Sequence, residues 1–395
     1  MTARTFPFAD PTGLAIDPAF QELRATEPVA RIRLPYGGDG WLLTRYADNR
    51  ALLTDRRFSR AAAVGPDTPR LTVEPPGGSA MTIQDPPEHT RLRRLVAPAF
   101  SARRIDRLRP RITTVTDELL TAMIAAGPPA DLVAAFALPL PITVICELLG
   151  VPVTDQPRFT GLAGRLLSST AYTRDEVRAA VDELSDYLGE LIERRRNRPA
   201  DDLISVLVHA RDADDRLSEQ ELLTLCGTLL SAGYENVANA IANFTLLLTE
   251  EPARLARLRA EPDLVPTAVE EMLRYIMSGL GVSHPRIATE DVTISGVLIH
   301  EGDAVFASLP AANHDPDVFA DPDRVDFDRV ATGHLAFGYG PHTCLGAQLA
   351  RTELDVALTA MIHRLPGIRL AVPVAELPWK TGLTVRGPRT LPVAW

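Results

Sequence analysis

The 395-residue chain almost lacks lysine: of its 41 basic residues, Lys380 alone is not arginine. Alongside abundant alanine and 33 prolines, this bias reads as GC-rich codon usage rather than as physics. Cysteine is scarce too. Cys146, Cys226 and Cys344 lie far apart, which gives no disulfide framework and suits a reducing compartment. No Cys-x-x-Cys pair exists, which removes a zinc ribbon. No apolar run reaches the ~18 residues a membrane span requires, and residues 1–10 are polar with scattered Phe rather than a secretory leader. A net charge of −10 and a pI of about 5.4 argue against a nucleic-acid partner. Length alone suggests two or three domains, yet no Gly/Ser linker, charge block or repeat divides the chain. The expectation is a soluble, cytoplasmic protein with neither a nucleic-acid nor a membrane partner.

What is present concentrates near the C-terminal end. Phe337-Gly338-Tyr339-Gly340-Pro341-His342-Thr343-Cys344-Leu345-Gly346 packs three glycines, a proline, a histidine and a cysteine into a loop. A helix pattern follows over 345–351. Gly338 and Gly340 permit positive φ and close backbone approach. A thiol at a helix N-terminus favours the thiolate, because free N–H groups and the macrodipole stabilise negative charge, and a thiolate held this way suits a metal. Taken singly, Cys344 also reads as a small buried hydrophobe, as Cys146 and Cys226 do in their apolar helical patterns. A dinucleotide fingerprint is excluded, since Thr343 stands where its third glycine is required.

The spacing Phe-Gly-x-Gly-x-His-x-Cys-x-Gly, with Leu349-Ala350-Arg351 behind it, closely resembles the haem-binding loop of bacterial cytochrome P450 enzymes. The resemblance implies one domain over 1–395, mainly α with small β-sheets (α+β), with haem b between a long distal helix and the Cys loop. It makes Cys344 the metal ligand, whose electron donation favours O–O cleavage. Phe337, Gly338 and Gly346 then belong to the haem-binding loop.

Further motifs follow in the family's order. In 85–95, Pro86 and Pro87 suit a helix start, and His89 and Arg93 share a face. Alone they read as a solvated basic helix; the resemblance makes them ligands of the haem propionates, joined by Arg286 and His342. Eight Arg against one acid, Asp106, lie between Arg91 and Arg111. The family places this patch where an acidic ferredoxin docks, with electrons coming from a ferredoxin reductase. Residues 112–198 are helical with breaks at 127–129, 139–141 and 150–157, and family order puts a lid at 159–194 with its turn at 168–175. The longest helix starts from a capping box, Ser218 and Glu221, and runs as a rod of ~45 Å over 218–248. Midway lie Ala232, Gly233, Glu235 and Asn236, the oxygen-side catalytic residues by resemblance. Asn236 stands where the family has Thr, and an amide is a poor proton relay.

Glu271 and Arg274, with Arg324 as third member, are expected to form a buried charge network. The long loop 59–85, with turns at 65–66 and 75–78, covers the pocket by resemblance. Ile83, Leu280, Val282 and Leu383 are the expected substrate contacts, the last at the tip of a hairpin over 379–385. His284, in the 278–286 segment that passes the haem edge, reads as a solvated loop histidine. Strands are expected at 29–34 and 40–44, a helix at 48–58, and short strands over 287–305 with a turn at 295–296. The functional expectation is a monomer that oxidises a small secondary metabolite with O2 by hydroxylation. The alternative is oxidative C–C or C–N coupling of aromatic or cyclic-dipeptide substrates, for which Asn236 is the hint. A more remote alternative is a haem protein that binds a ligand without turnover.

Overall fold

A computed structural model describes residues 3–9, 12–75, 79–212, 217–276, 279–331 and 333–395; the turn at 76–78 and Ser278 lie outside them. The described chain is mainly helical, with three small sheets. The largest has the spatial order Arg4–Thr5, Val29–Arg33, Asp39–Leu43, Ala304–Ala307, Arg286–Ala288, Phe58–Ser59. The expected hairpin is its centre: Arg31 pairs with Trp41 across antiparallel strands. Its turn requires glycine at position 37, where φ is +74° and a Cβ would lie 2.1 Å from the Thr68 carbonyl oxygen. Ala304–Ala307 runs parallel to the second strand through Trp41 and Val305, and sets Arg286 opposite Val305. The sheet thereby carries Arg286 to the edge of the helical layer.

In that layer Ala347–Arg364 packs against Ala102–Ala126 on one side and against Glu235–Glu250 and Val265–Tyr275 on others. Its buried residues run almost without a break, including Thr352, Glu353, Leu354, Val356, Ala357 and Leu358, as a helix covered on several sides demands. The Ser218–Glu221 capping box forms, and a second, Thr173–Glu176, starts the helix Arg174–Asn197. With Gln156–Leu166 this helix makes the expected helix–loop–helix, its turn at 167–173. The helix expected at 48–58 spans Tyr46–Thr54, because Asp315 Oδ2 accepts from the Tyr46 N–H at 2.8 Å and caps it from 269 residues away. No described helix is long and apolar enough to cross a membrane.

Two expectations are corrected. The single rod is two helices, Glu219–Ala232 and Glu235–Glu250, parted at Gly233 and Tyr234. A Cβ on Gly233 would lie 2.5 Å from Ile145 Cγ1, so neighbouring helix Pro139–Leu149 comes closer than any side chain allows. Tyr234, φ −130°, is buried and donates to the Phe159 carbonyl at 3.1 Å, which pins the interruption. The hairpin expected at 379–385 is wider, its arms paired by Lys380 N–H on the Gly387 carbonyl at 2.9 Å and Arg389 N–H on the Pro378 carbonyl at 2.6 Å. Trp379 bridges to Pro388, while the N–H groups of Ser169, Thr170 and Ala171 converge on the Gly382 carbonyl at 2.8, 2.9 and 3.0 Å. The hairpin's tip is thereby stitched to the turn at 167–173.

Candidate active site

The cysteine loop is built by its glycines. Gly338 and Gly340 have φ of +72° and +73°, and a Cβ on Gly340 would meet the Leu53 carbonyl oxygen at 2.8 Å. The Cys344 N–H donates to the Phe337 carbonyl at 2.8 Å, closing the loop. The helix behind begins at Ala347 with Gly346 as N-cap, two residues later than the pattern suggested. Phe337 is held by Arg351, whose guanidinium stacks 4.5 Å from the ring centroid and bonds Glu270 at 2.6 and 3.0 Å. Burial would raise the Glu270 carboxyl, yet His334 and Arg351 hold it down at about 2.

Cys344 differs from the other two thiols. Cys146 and Cys226 are buried, and burial pushes both up to about 12. Cys344 exposes surface, and that surface faces a cavity of about 440 Å³. Burial in protein pushes this thiol up as well, opposed by the Gly346 N–H and by Arg93 and Arg351. The helix terminus alone therefore does not make a thiolate here. A metal at Sγ would, because a coordinating thiol is deprotonated outright. Among the described residues no cluster of three His, Cys, Asp or Glu could hold a bare ion, so a metal here fits one that arrives with ligands of its own.

Opposite the thiol, the cavity wall is Ala232, Gly233, Asn236, Val237 and Ala240, the two sides of the helix break. The rim carries arginines and histidines. His89, Arg93, His342 and Arg60 all reach the wall, with the His89 and His342 rings 4.1 Å apart. Arg286 stands behind them, 3% exposed. Arg93 Nη2 donates to the Thr343 carbonyl at 2.8 Å, tying rim to cysteine loop. Burial and mutual repulsion push Arg60 down to about 9 and His342 to about 2, and burial takes Arg286 to about 10. Arg60 Nε, Arg286 Nε and Nη2, and His89 Nδ1 are buried without partners. Asp85, the nearby acid, is turned toward Ser59 and the N–H groups of Arg60 and Ala61. Unpaired buried donors are costly, and crowded cations demand anions. Two carboxylates at the edge of a flat ring would satisfy both.

The site residues expected from sequence mostly converge. Cys344, His89, Arg93, His342, Phe337, Gly338, Gly346, Ala232, Gly233 and Asn236 line one cavity. Arg60 was missed, and the signal that would have found it, its burial beside Arg286, is long-range. Glu235 is turned off the wall into an ion pair with Lys380 at 2.5 Å. None of Ile83, Leu280, Val282 and Leu383 is on this wall. The turn Met81–Ile83 presents Met81 and Thr82 instead, and Val282 packs into the N-terminal cluster of Phe6, Phe20 and Phe306 while Ser283 and His284 face in. His284 exposes surface, and it lines the cavity; desolvation there, with Arg60 and Arg286 nearby, lowers it to about 4. The charge network is also rearranged. Glu271 and Arg274 pair at 2.7 and 2.8 Å with both side chains fully buried, but the third member is Arg329, at 3.1 Å from Glu271 Oε1. Arg324 contributes a backbone carbonyl, and its side chain is 71% exposed. Part of the arginine patch is neutralised within the chain, Arg91 by Glu221, Arg109 by Asp355 and Arg111 by Glu147.

The cytochrome P450 family model matches residues 166–366. Nocardicin C N-oxygenase of Nocardia uniformis subsp. tsuyamanensis is 52% identical over 99% of this chain and 98% of its own. The chain belongs to the cytochrome P450 family. It is an oxidoreductase of the secondary-metabolite type, and membership implies haem b; the thiol, the helix break and the unpaired buried nitrogens of Arg60, Arg286 and His89 fit that group. Among solved structures, a crystal structure of HinD with NMFT and NO superposes on this P450 with a TM-score of 0.97 at 45% identity, covering both chains completely. That of cytochrome P450mel 107F1, which has biaryl coupling reactivity, superposes with a TM-score of 0.96 at 43% identity over the full length of both. This P450 therefore shares a fold and close sequence kinship with proteins named for different oxidations.

Proposed function

We propose that this P450 uses O2 and electrons from a ferredoxin and its reductase to hydroxylate an apolar secondary metabolite. The observation that supports this most directly is the cavity itself, where a lone accessible thiol faces a widened helix break beside a rim of arginines and histidines. Haem b, bound there, supplies the activation of O2. Cys344 would hold its iron, and His89, Arg93, His342, Arg286 and Arg60 its two carboxylates. Gly233 and Ala232 leave room on the oxygen side, where the Asn236 amide can donate and accept hydrogen bonds. Phe100, Ile145, Leu229 and Leu309 line the cavity with apolar surface, which favours an apolar substrate and excludes water; Ser283 and His284 offer it polar contacts. The exposed Arg94, Arg103 and Arg107 form the face offered to an acidic ferredoxin.

Oxidative coupling is a second reading. Asn236 on the wall favours it, since the hydroxyl the family carries there is absent, and P450mel 107F1 provides a related precedent. Turnover under heavy-oxygen gas separates the two. A product that gains labelled oxygen supports hydroxylation, whereas a product that has lost two hydrogens and carries no label supports coupling. Reduction by a competent ferredoxin system with no oxidised product from any macrolide, terpenoid, flat aromatic or cyclic dipeptide would sink both.

A further inference from the structure

The single lysine of the chain is largely covered. Its side chain is 13% exposed; Nζ lies 2.5 Å from Glu235 Oε1 and 2.7 Å from Asn239 Oδ1. Asn239 Nδ2 donates back to the same Glu235 oxygen at 3.4 Å, so ammonium, carboxylate and amide close a ring. Arginine fills every other basic position, yet here the chain has a compact ammonium with three donors. A planar guanidinium is wider, and space is short: a Cβ on Gly387, across from the ring, would sit 2.6 Å from Asn239 Oδ1. The composition of the chain yields at this one position to a steric demand.

The ring joins two parts of the cavity. Glu235 opens the helix beyond the break and precedes Asn236 on the wall. Lys380 belongs to the C-terminal segment stitched to the lid turn through Gly382 and through Thr384 N–H on the Leu167 carbonyl at 2.8 Å, and to the 279–286 segment through Leu280 N–H on the Thr384 carbonyl at 3.2 Å. Asn243, two turns along the same helix, donates to the Arg386 carbonyl at 3.1 Å. An ion pair this buried adds little net stability, because desolvation offsets its Coulomb attraction. What it does provide is geometry.

We propose that Lys380 is a positioning residue that ties the Glu235 carboxylate to the lid turn and C-terminal segment, so that closure over a substrate and placement of the acid beside Asn236 are one event. For its catalytic consequence the proposal rests on the oxidative reading above; its structural arm does not.

The single lysine makes the test direct. In the haem-loaded protein an acetylating N-hydroxysuccinimide ester has two amine targets, the α-amino group and Lys380. Acetylation of Lys380 should be at least ~10-fold slower in wild type than in Glu235→Gln; equal rates would overturn the ring. Hydrogen exchange is then followed with and without clotrimazole, an azole that binds haem iron and fills the space above it. In wild type the segments 166–172, 379–388 and 234–240 should gain protection together. In Lys380→Met, and in the charge-neutral double variant Glu235→Gln/Lys380→Met, the first two should still respond while 234–240 does not. A response of 234–240 in these variants equal to wild type, or none in wild type, would overturn the coupling. With any substrate that is oxidised, Lys380→Met should send several-fold more electrons to peroxide, and an unchanged peroxide yield would also count against the proposal. Failure to find a substrate removes the oxidative reading while leaving the exchange result standing.

Discussion

Replacing Arg329 should destabilise this P450 far more than replacing Arg324, although sequence pattern favours Arg324 as the third member of the network. The Arg329 side chain is 12% exposed and makes four hydrogen bonds: Nε to Glu271 at 3.1 Å, and Nη atoms to the carbonyls of Ala320, Asp321 and Arg324 at 2.5, 3.2 and 3.3 Å. The bond to Glu271 is charge-assisted, worth ~1.5–3 kcal/mol, and Met at this position would also leave carbonyls unmatched. Glu271 keeps Arg274 and the Asp326 N–H at 3.0 Å, so the loss stops short of stranding a buried charge. The expected cost of Arg329→Met is ~2–4 kcal/mol. Unfolding entropy of ~2 cal/mol/K per residue over a chain of this length makes that ~2–5 °C in Tm. Arg324→Met touches only a 3.9 Å surface pair with Asp326 and should stay within ~0.5 kcal/mol. Guanidinium titration of the ferric holoenzymes, followed by the Soret band and by far-ultraviolet dichroism, measures both. The reasoning fails if Arg324→Met is as destabilising as Arg329→Met.

Two further outcomes concern the cavity. Glu353 on the ligand helix is 1% exposed, with both carboxyl oxygens partnerless, and burial pushes its pKa well above the ordinary value. The unfolded chain releases that proton near pH ~4.3 while the folded chain keeps it, so the stability of the neutral form is full below that pH and is lost as pH rises through the folded value. Glu353→Gln should therefore match wild type near pH ~4 and exceed it by at least ~1 kcal/mol at pH ~8, read from urea midpoints; a gap independent of pH would show the carboxyl to be ionised in the fold. Arg60→Met should speed haem loss to an apomyoglobin acceptor by ~10–100-fold, the equivalent of one charge-assisted hydrogen bond, and an unchanged rate would remove Arg60 from the rim.

The features legible in sequence are those with local causes. Positive φ at Gly338 and Gly340, the Ser218 cap, and the four-residue spacing of His89 and Arg93 each follow from a few neighbouring residues. The interruption at Gly233 was legible as a helix-disfavouring residue, though its extent depends on Ile145 pressing in from another helix. Arg60, Arg329 and the cavity-facing turn of His284 were not legible, because the partner that gives each its role is distant in sequence: Arg286 for Arg60, Glu271 for Arg329 and Arg60 for His284. The expected substrate contacts lie off the wall of this cavity for a related reason: in extended and 3₁₀ segments a shift of one residue changes which side chain faces it, so Ser283 and His284 line it where Val282 does not. Family pattern locates such a segment but not its rotation.

The crossing of the cysteine loop with Leu53 has a consequence for biosynthesis. Gly340 fits only against the backbone of the helix Tyr46–Thr54, and Tyr339 lies under Arg50, its ring 4.2 Å from the guanidinium carbon. That helix is capped in turn by Asp315. A nascent chain halted before residue 340 already holds His89, Arg93 and Arg286 but no thiol to place. The floor of the pocket is completed where a helix made early meets a loop made late, so the residues that would hold the cofactor are assembled in full only after the C-terminal part of the chain exists.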